Sequence, residues 1–109
     1  MAGIDESEVI DLVAENPDGS ALLVMVETRA WGTDPRQPEQ LKAKLNTYAQ
    51  FALDGSLTQH YPHLANRPVT IRLECRENPP ADISSIADAA QQRLAEYGVS
   101  LAVRVNPRL

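Results

Sequence analysis

Two histidines three residues apart, in Gln59-His60-Tyr61-Pro62-His63, form the most metal-like spacing in this 109-residue sequence. A tetrahedral zinc site needs further ligands, and only Cys75 or a carboxylate could supply them. Cys75, the sole cysteine, alternates with Val69, Ile71 and Leu73, which puts it on the buried side of a strand, away from any loop. The histidine segment therefore reads as a loop whose Tyr61 plugs the edge of the core, with no metal implied. Trp31, the only tryptophan, follows a strand end, where α/β sheets often take ligands. With Arg29, Tyr48, Tyr61, His60 and His63 it could line a small-molecule pocket. A large aromatic that closes the core is the plainer explanation, so a binding protein or enzyme at this place stays the alternative reading.

Nucleophiles are sparse. Ser84 and Ser85 fall in a first helical turn, where capping accounts for them, and Ser20 falls in a turn. There is no G-x-S-x-G elbow, and five glycines leave no phosphate-cradling loop. The inventory leans toward a non-enzyme and implies no cofactor. Fifteen acids against ten bases leave −5, which argues against a partner bound by neutralising nucleic-acid phosphates. The charge is uneven, −7 over residues 1–40 and +2 over 41–109. An acidic N-terminal hairpin bearing Asp11, Glu15 and Asp18 could therefore act as a decoy in a regulatory or immunity-like inhibitor. No leader pattern and no run of 18 apolar residues appears, so the expectation is a cytoplasmic protein that does not enter a membrane.

The elements that must position these residues follow from periodicity. Residues 1–8 are polar and expected to be a flexible N-terminus, leaving 9–109 as one domain. Val9–Glu15 alternates as a half-buried strand with Ile10, Leu12 and Ala14 inward. Asn16-Pro17-Asp18-Gly19-Ser20 turns the chain into Ala21–Thr28, a strand apolar on both faces. A helix is predicted from about Pro38 to Asp54, then a loop over 56–68. An alternating strand follows over Val69–Arg76, a second helix runs to about Tyr97, and a last strand covers Val99–Val105.

The order ββαβαβ predicts an α/β (α+β) two-layer sandwich: a four-stranded mixed sheet with two helices on one face. Covering both faces would bury the polar half of the last two strands at a cost of kilocalories per unpaired group. The uncovered face is expected to carry Arg72, Glu74, Arg76 and Arg104 beside Val13, Leu23 and Met25. Such a charged and apolar surface suits a homodimer or another protein partner.

Lys44-Leu45-Asn46, Tyr48, Phe51, Gly55, Leu57 and Tyr61-Pro62, in this spacing, resemble the signature of a family of small bacterial proteins of unknown function. The similarity extends over most of residues 8–105; Ala43 departs from it, where many relatives carry Glu or Gln. The resemblance implies an uncharacterised cytosolic bacterial protein and transfers no activity, cofactor or catalytic residue. The functional expectation is a non-catalytic protein-interaction module, working as a homodimer through its sheet face or an edge strand.

Overall fold

The computed structural model describes residues 3–109. Strands β1 (Leu12–Glu15) and β2 (Ala21–Glu27) lead into helix α1 (Gln37–Leu53), a short helix α2 (Ser56–His60) and a 3-10 turn, Pro62–Leu64. Strand β3 (Val69–Cys75), helix α3 (Ala81–Ala95) and strand β4 (Val99–Val105) complete the chain. The sheet order is β1-β2-β3-β4, antiparallel for β1/β2 and parallel for the other two pairs. The predicted four-stranded mixed sheet is therefore present. Strand order, which periodicity does not encode, follows chain order.

The hairpin turn is built as its residues dictate. Gly19 sits at φ 87°, a left-handed conformation that disfavours any side chain, and its N–H donates to the Asn16 carbonyl at 2.8 Å. Asp18 Oδ1 accepts from Ser20 N–H at 2.9 Å and from its hydroxyl at 2.6 Å. These bonds hold Asp18 below its ordinary carboxylate range.

Helices α1 and α3 lie on one side of the sheet. Leu41, Leu45, Tyr48, Ile83 and Leu94 pack there against Leu23, Met25, Ile71 and Leu73. On the other face Leu22, Val24 and Val26 form a separate cluster joined only by Ala14 among the described residues.

That division corrects the expected facing of the hairpin. Val13 stands opposite Leu23 in the ladder, and Leu23 and Met25 stand beside Ile71 and Leu73. All three apolar residues assigned to the uncovered face thus lie under the helices, where Leu23 and Met25 are fully buried. A strand pleat has a period of two, so shifting the choice by one residue exchanges the whole set. Both halves of β2 are apolar, and its own pattern carries no preference.

Of the N-terminal stretch expected to be flexible, residues 1–2 lie outside the described residues; Asp5, Glu6 and Glu8 are exposed. Gly3 bridges Val26, continuing the edge beyond β1, and Ile4 is fully buried in the core. One aliphatic side chain in a polar stretch suffices to anchor it. The segment 56–68, expected to be a loop, contains α2 and the 3-10 turn. Gly55, at φ 92°, turns the chain directly out of α1, Asp54 Oδ1 accepts from Ser56 N–H at 2.9 Å, and Leu57 drops into the core. Five helical residues are too few to show a periodicity.

Candidate functional site

The fold separates the residues of the aromatic and histidine pocket. Trp31 lies beyond the C-terminal end of β2, where its backbone N–H and indole N–H donate to Glu77 Oε1 (2.9 Å) and the Glu77 carbonyl (3.2 Å). His60, Tyr61 and His63 lie toward the N-terminal end of that strand, with His63 Nε2 3.7 Å from Glu15 Oε1. A seven-residue strand is about 20 Å long, so no pocket joins the two groups. Tyr48 belongs to neither, being buried in the core. The histidines are occupied locally: His60 Nδ1 is 2.8 Å from the Ser56 carbonyl and its ring lies 6.1 Å from Phe51. Among the described residues no cluster of three or more His, Cys, Asp or Glu is placed to hold a metal ion. Cys75 is fully buried, and burial raises its thiol above the ordinary value, the opposite of an activated nucleophile.

Two polar networks went unread in the sequence, and both are structural. The first joins α1 to the opening residues. Lys44, with no exposed surface, donates through Nζ to the carbonyls of Glu6 (2.8 Å) and Val9 (2.7 Å) and to Asp11 Oδ1 (2.8 Å). All three ammonium protons are used. Beside it the Tyr48 hydroxyl donates to the Val24 carbonyl at 2.6 Å and accepts from Asp11 N–H at 2.8 Å. Burial pushes the Asp11 carboxyl up by more than the Lys44 bond and charge draw it down, and burial likewise raises the Tyr48 phenol. Asp11 is therefore unavailable to an acidic decoy surface. The signal for this network was present: Leu41, Lys44, Leu45 and Tyr48 occupy positions i, i+3, i+4 and i+7 of one buried stripe.

The second network ties residues 27–40 together at the C-terminal end of β2. Glu27, 1% exposed, accepts from Arg29 N, Nε and Nη2 (2.9, 2.9 and 2.7 Å) and from Gln37 Nε2 (3.1 Å). Arg29 also reaches Gln40 Oε1 at 2.8 Å and Asp34 Oδ2 at 3.3 Å. A cleft of about 650 Å³ opens beside it, lined by Thr28, Arg29, Thr33, Asp34 and Arg76 among others. Asp34, the acid in its lining, is bonded to Arg29 and Arg36.

Asp34 accepts from Arg36 N, Nε and Nη2, and those bonds hold its carboxyl at about 2. Its folded value lies below the ordinary 3.8, so its contribution to stability is complete above pH 4 and is lost as pH falls toward 2. Comparing urea midpoints of the wild type and Asp34→Asn is expected to show an advantage for the wild type at pH 6 that disappears near pH 2. An advantage independent of pH would contradict this assignment.

Three surfaces remain. The helix-free face presents Arg72 and Arg104, which reach Glu74 Oε1 at 3.2 and 3.5 Å. Arg76 lies past the end of β3, where Nη1 reaches the Thr28 carbonyl at 3.4 Å. The apolar part of this face differs from expectation: Leu22, Val24 and Val26 are at most 9% exposed, screened by their neighbours, while Leu12, 42% exposed, and Ala102 are open. The second surface is a groove of about 550 Å³ between α1 and α3. The third is the outer edge of β4. Asn106 N–H donates to the Cys75 carbonyl at 2.7 Å, so the even-numbered residues of β4 carry the ladder to β3. Leu101, Val103 and Val105 then turn their backbone groups outward. Gln91 Oε1 takes the Leu101 N–H at 2.8 Å, whereas nothing among the described residues pairs with the N–H groups of Val103 and Val105.

No curated protein and no solved structure matches the chain. Among the described residues no helix is long and apolar enough to cross a membrane. Residues 2–107 match the model of a family described only as being of unknown function, DUF6572, and the chain belongs to that family.

Proposed function

We propose that this protein is a non-catalytic interaction module that forms a homodimer by pairing the β4 edges of two copies. The observation that carries this reading is the unpaired edge of β4, seven residues long and flanked by Val103 and Val105, which are 41% and 39% exposed. An edge of this length with open donors is a template for another strand.

The edge is complementary to itself. With two copies antiparallel and Val103 opposite its own copy, the outward N–H and C=O groups of both meet as a hydrogen-bonded pair. Leu101 then faces the copy's Val105, and its carbonyl accepts that residue's N–H. Arg104 faces the copy's Ala102, so no like charges oppose. The contact is small, which suits association in the micromolar range. The cytoplasm is the proposed compartment, since a single buried thiol needs no oxidising surroundings.

Size-exclusion chromatography with light scattering, at concentrations up to about 100 µM, should give twice the 12.0 kDa chain mass. Val103→Pro removes an outward N–H without touching the β3 ladder, and is expected to return the protein to a monomer with its circular dichroism intact. A monomeric wild type, or a dimer indifferent to Val103→Pro, refutes the proposal.

A further inference from the structure

The groove between α1 and α3 is lined by residues of the helix layer and by none of β4. Its floor is apolar, formed by Leu45, Ala49, Ile86, Ala90 and Leu94. Alanines at 49 and 90 lower the floor between larger neighbours. One end carries Leu53 and Tyr97, 45% and 67% exposed, two large apolar surfaces that nothing in the fold covers. From Lys42 to Leu53 on one wall, and Ser85 to Tyr97 on the other, the groove extends about 16 to 18 Å, three turns of a helix.

The charges choose the occupant. Although the whole chain carries −5, the charged side chains lining the groove among the described residues are both cationic, Lys42 and Arg93. They stand on opposite walls, Lys42 on α1 and Arg93 on α3. Lys42 is shared with Glu39 at 3.1 Å in an exposed pair that competes little for it. A single anionic headgroup would engage one wall. An amphipathic helix lying along the groove, apolar side down with acids on both shoulders, engages both at once and covers Leu53 and Tyr97.

We infer that the α1–α3 groove is a docking site for an acidic amphipathic helix of a partner protein, with Lys42 and Arg93 reading its two shoulders. The inference uses a surface separate from the dimer edge and stands independently of that reading.

The probe is a fluorescein-labelled, end-capped peptide of two heptads with leucine at positions a and d, glutamate at e and g, and alanine elsewhere. Its control carries lysine at e and g. Added to the full chain at low salt, the glutamate peptide is expected to bind about tenfold more tightly than the control and to gain helicity on binding. Lys42→Glu combined with Arg93→Glu should reverse the preference. Both side chains are exposed, so this variant should keep the wild-type circular dichroism. Val103→Pro should leave peptide binding unchanged, which separates this site from the dimer edge.

Equal affinity for the two peptides, or no saturable binding up to about 500 µM, overturns the inference. So does full displacement of the peptide by dodecanoate at equal concentration, which would assign the groove to a small amphiphile. Loss of the dimer in the charge-reversed variant would assign it to a second copy and overturn it equally.

Discussion

Replacing Lys44 with methionine is expected to lower the free energy of unfolding by about 3–5 kcal/mol, the usual cost of breaking a buried ion pair from one side. The volume is nearly conserved, so a cavity is not the cause. Asp11 keeps its carboxylate in a place with no exposed side-chain surface, and its remaining donor is Val26 N–H at 3.3 Å. The Glu6 and Val9 carbonyls lose their donor as well. Adding Asp11→Leu to Lys44→Met removes the orphaned charge and should recover more than half of the loss. Lys42→Met, two residues away and exposed, should change stability by less than about 0.5 kcal/mol. Urea unfolding followed by far-UV circular dichroism and Trp31 fluorescence measures all three. If Lys44→Met and Lys42→Met have the same midpoint, Lys44 does not anchor the opening segment.

Leu23→Ala is expected to cost about 2–5 kcal/mol, the range for emptying a leucine site in a packed core. Leu23 is fully buried between β1 and β3 beneath α1 and α3, and a close-packed interior relaxes little around a lost side chain. Leu12→Ala, at an edge position 42% exposed, should cost less than about 1 kcal/mol. The contrast tests the depth at which Leu23 is buried. Were Leu23 at an open edge position like that of Leu12, its truncation would cost no more than Leu12→Ala. Equal unfolding midpoints for the two variants would contradict its place in the core.

The same contrast shows where reading by pattern stops. Strand β3 was legible because Val69, Ile71, Leu73 and Cys75 alternate with Thr70, Arg72, Glu74 and Arg76, and only one assignment leaves the charges in water. Strand β2 was legible as a strand, but its facing depends on which apolar half meets Ile71 and Leu73. Helix α1 was legible from its leucines and Tyr48. Lys44 sat in the same stripe and was passed over, because a lysine belongs in a core only when specific acceptors meet it. Those acceptors, Glu6, Val9 and Asp11, lie 33 to 38 residues earlier in the chain.

The candidate surfaces divide in the same way. His60 and His63 look like a pair on paper, yet neither spacing nor composition says that Trp31 and Cys75 lie at the other end of the sheet. Val103 and Val105 read as an ordinary inward half of a strand. Only the strand order makes β4 an edge, leaving those valines exposed and their N–H groups open.

By itself the sequence determined the four strands and the two long helices, the parallel crossovers and the two-layer arrangement, since each follows from local periodicity or from chain chirality, whereas α2 was too short to show one. The tertiary structure alone decided which side of β2 is covered, how a lysine is buried, and which edge and groove stay open. Those outcomes depend on contacts between residues far apart in the chain, and a local pattern holds no record of what it will be packed against.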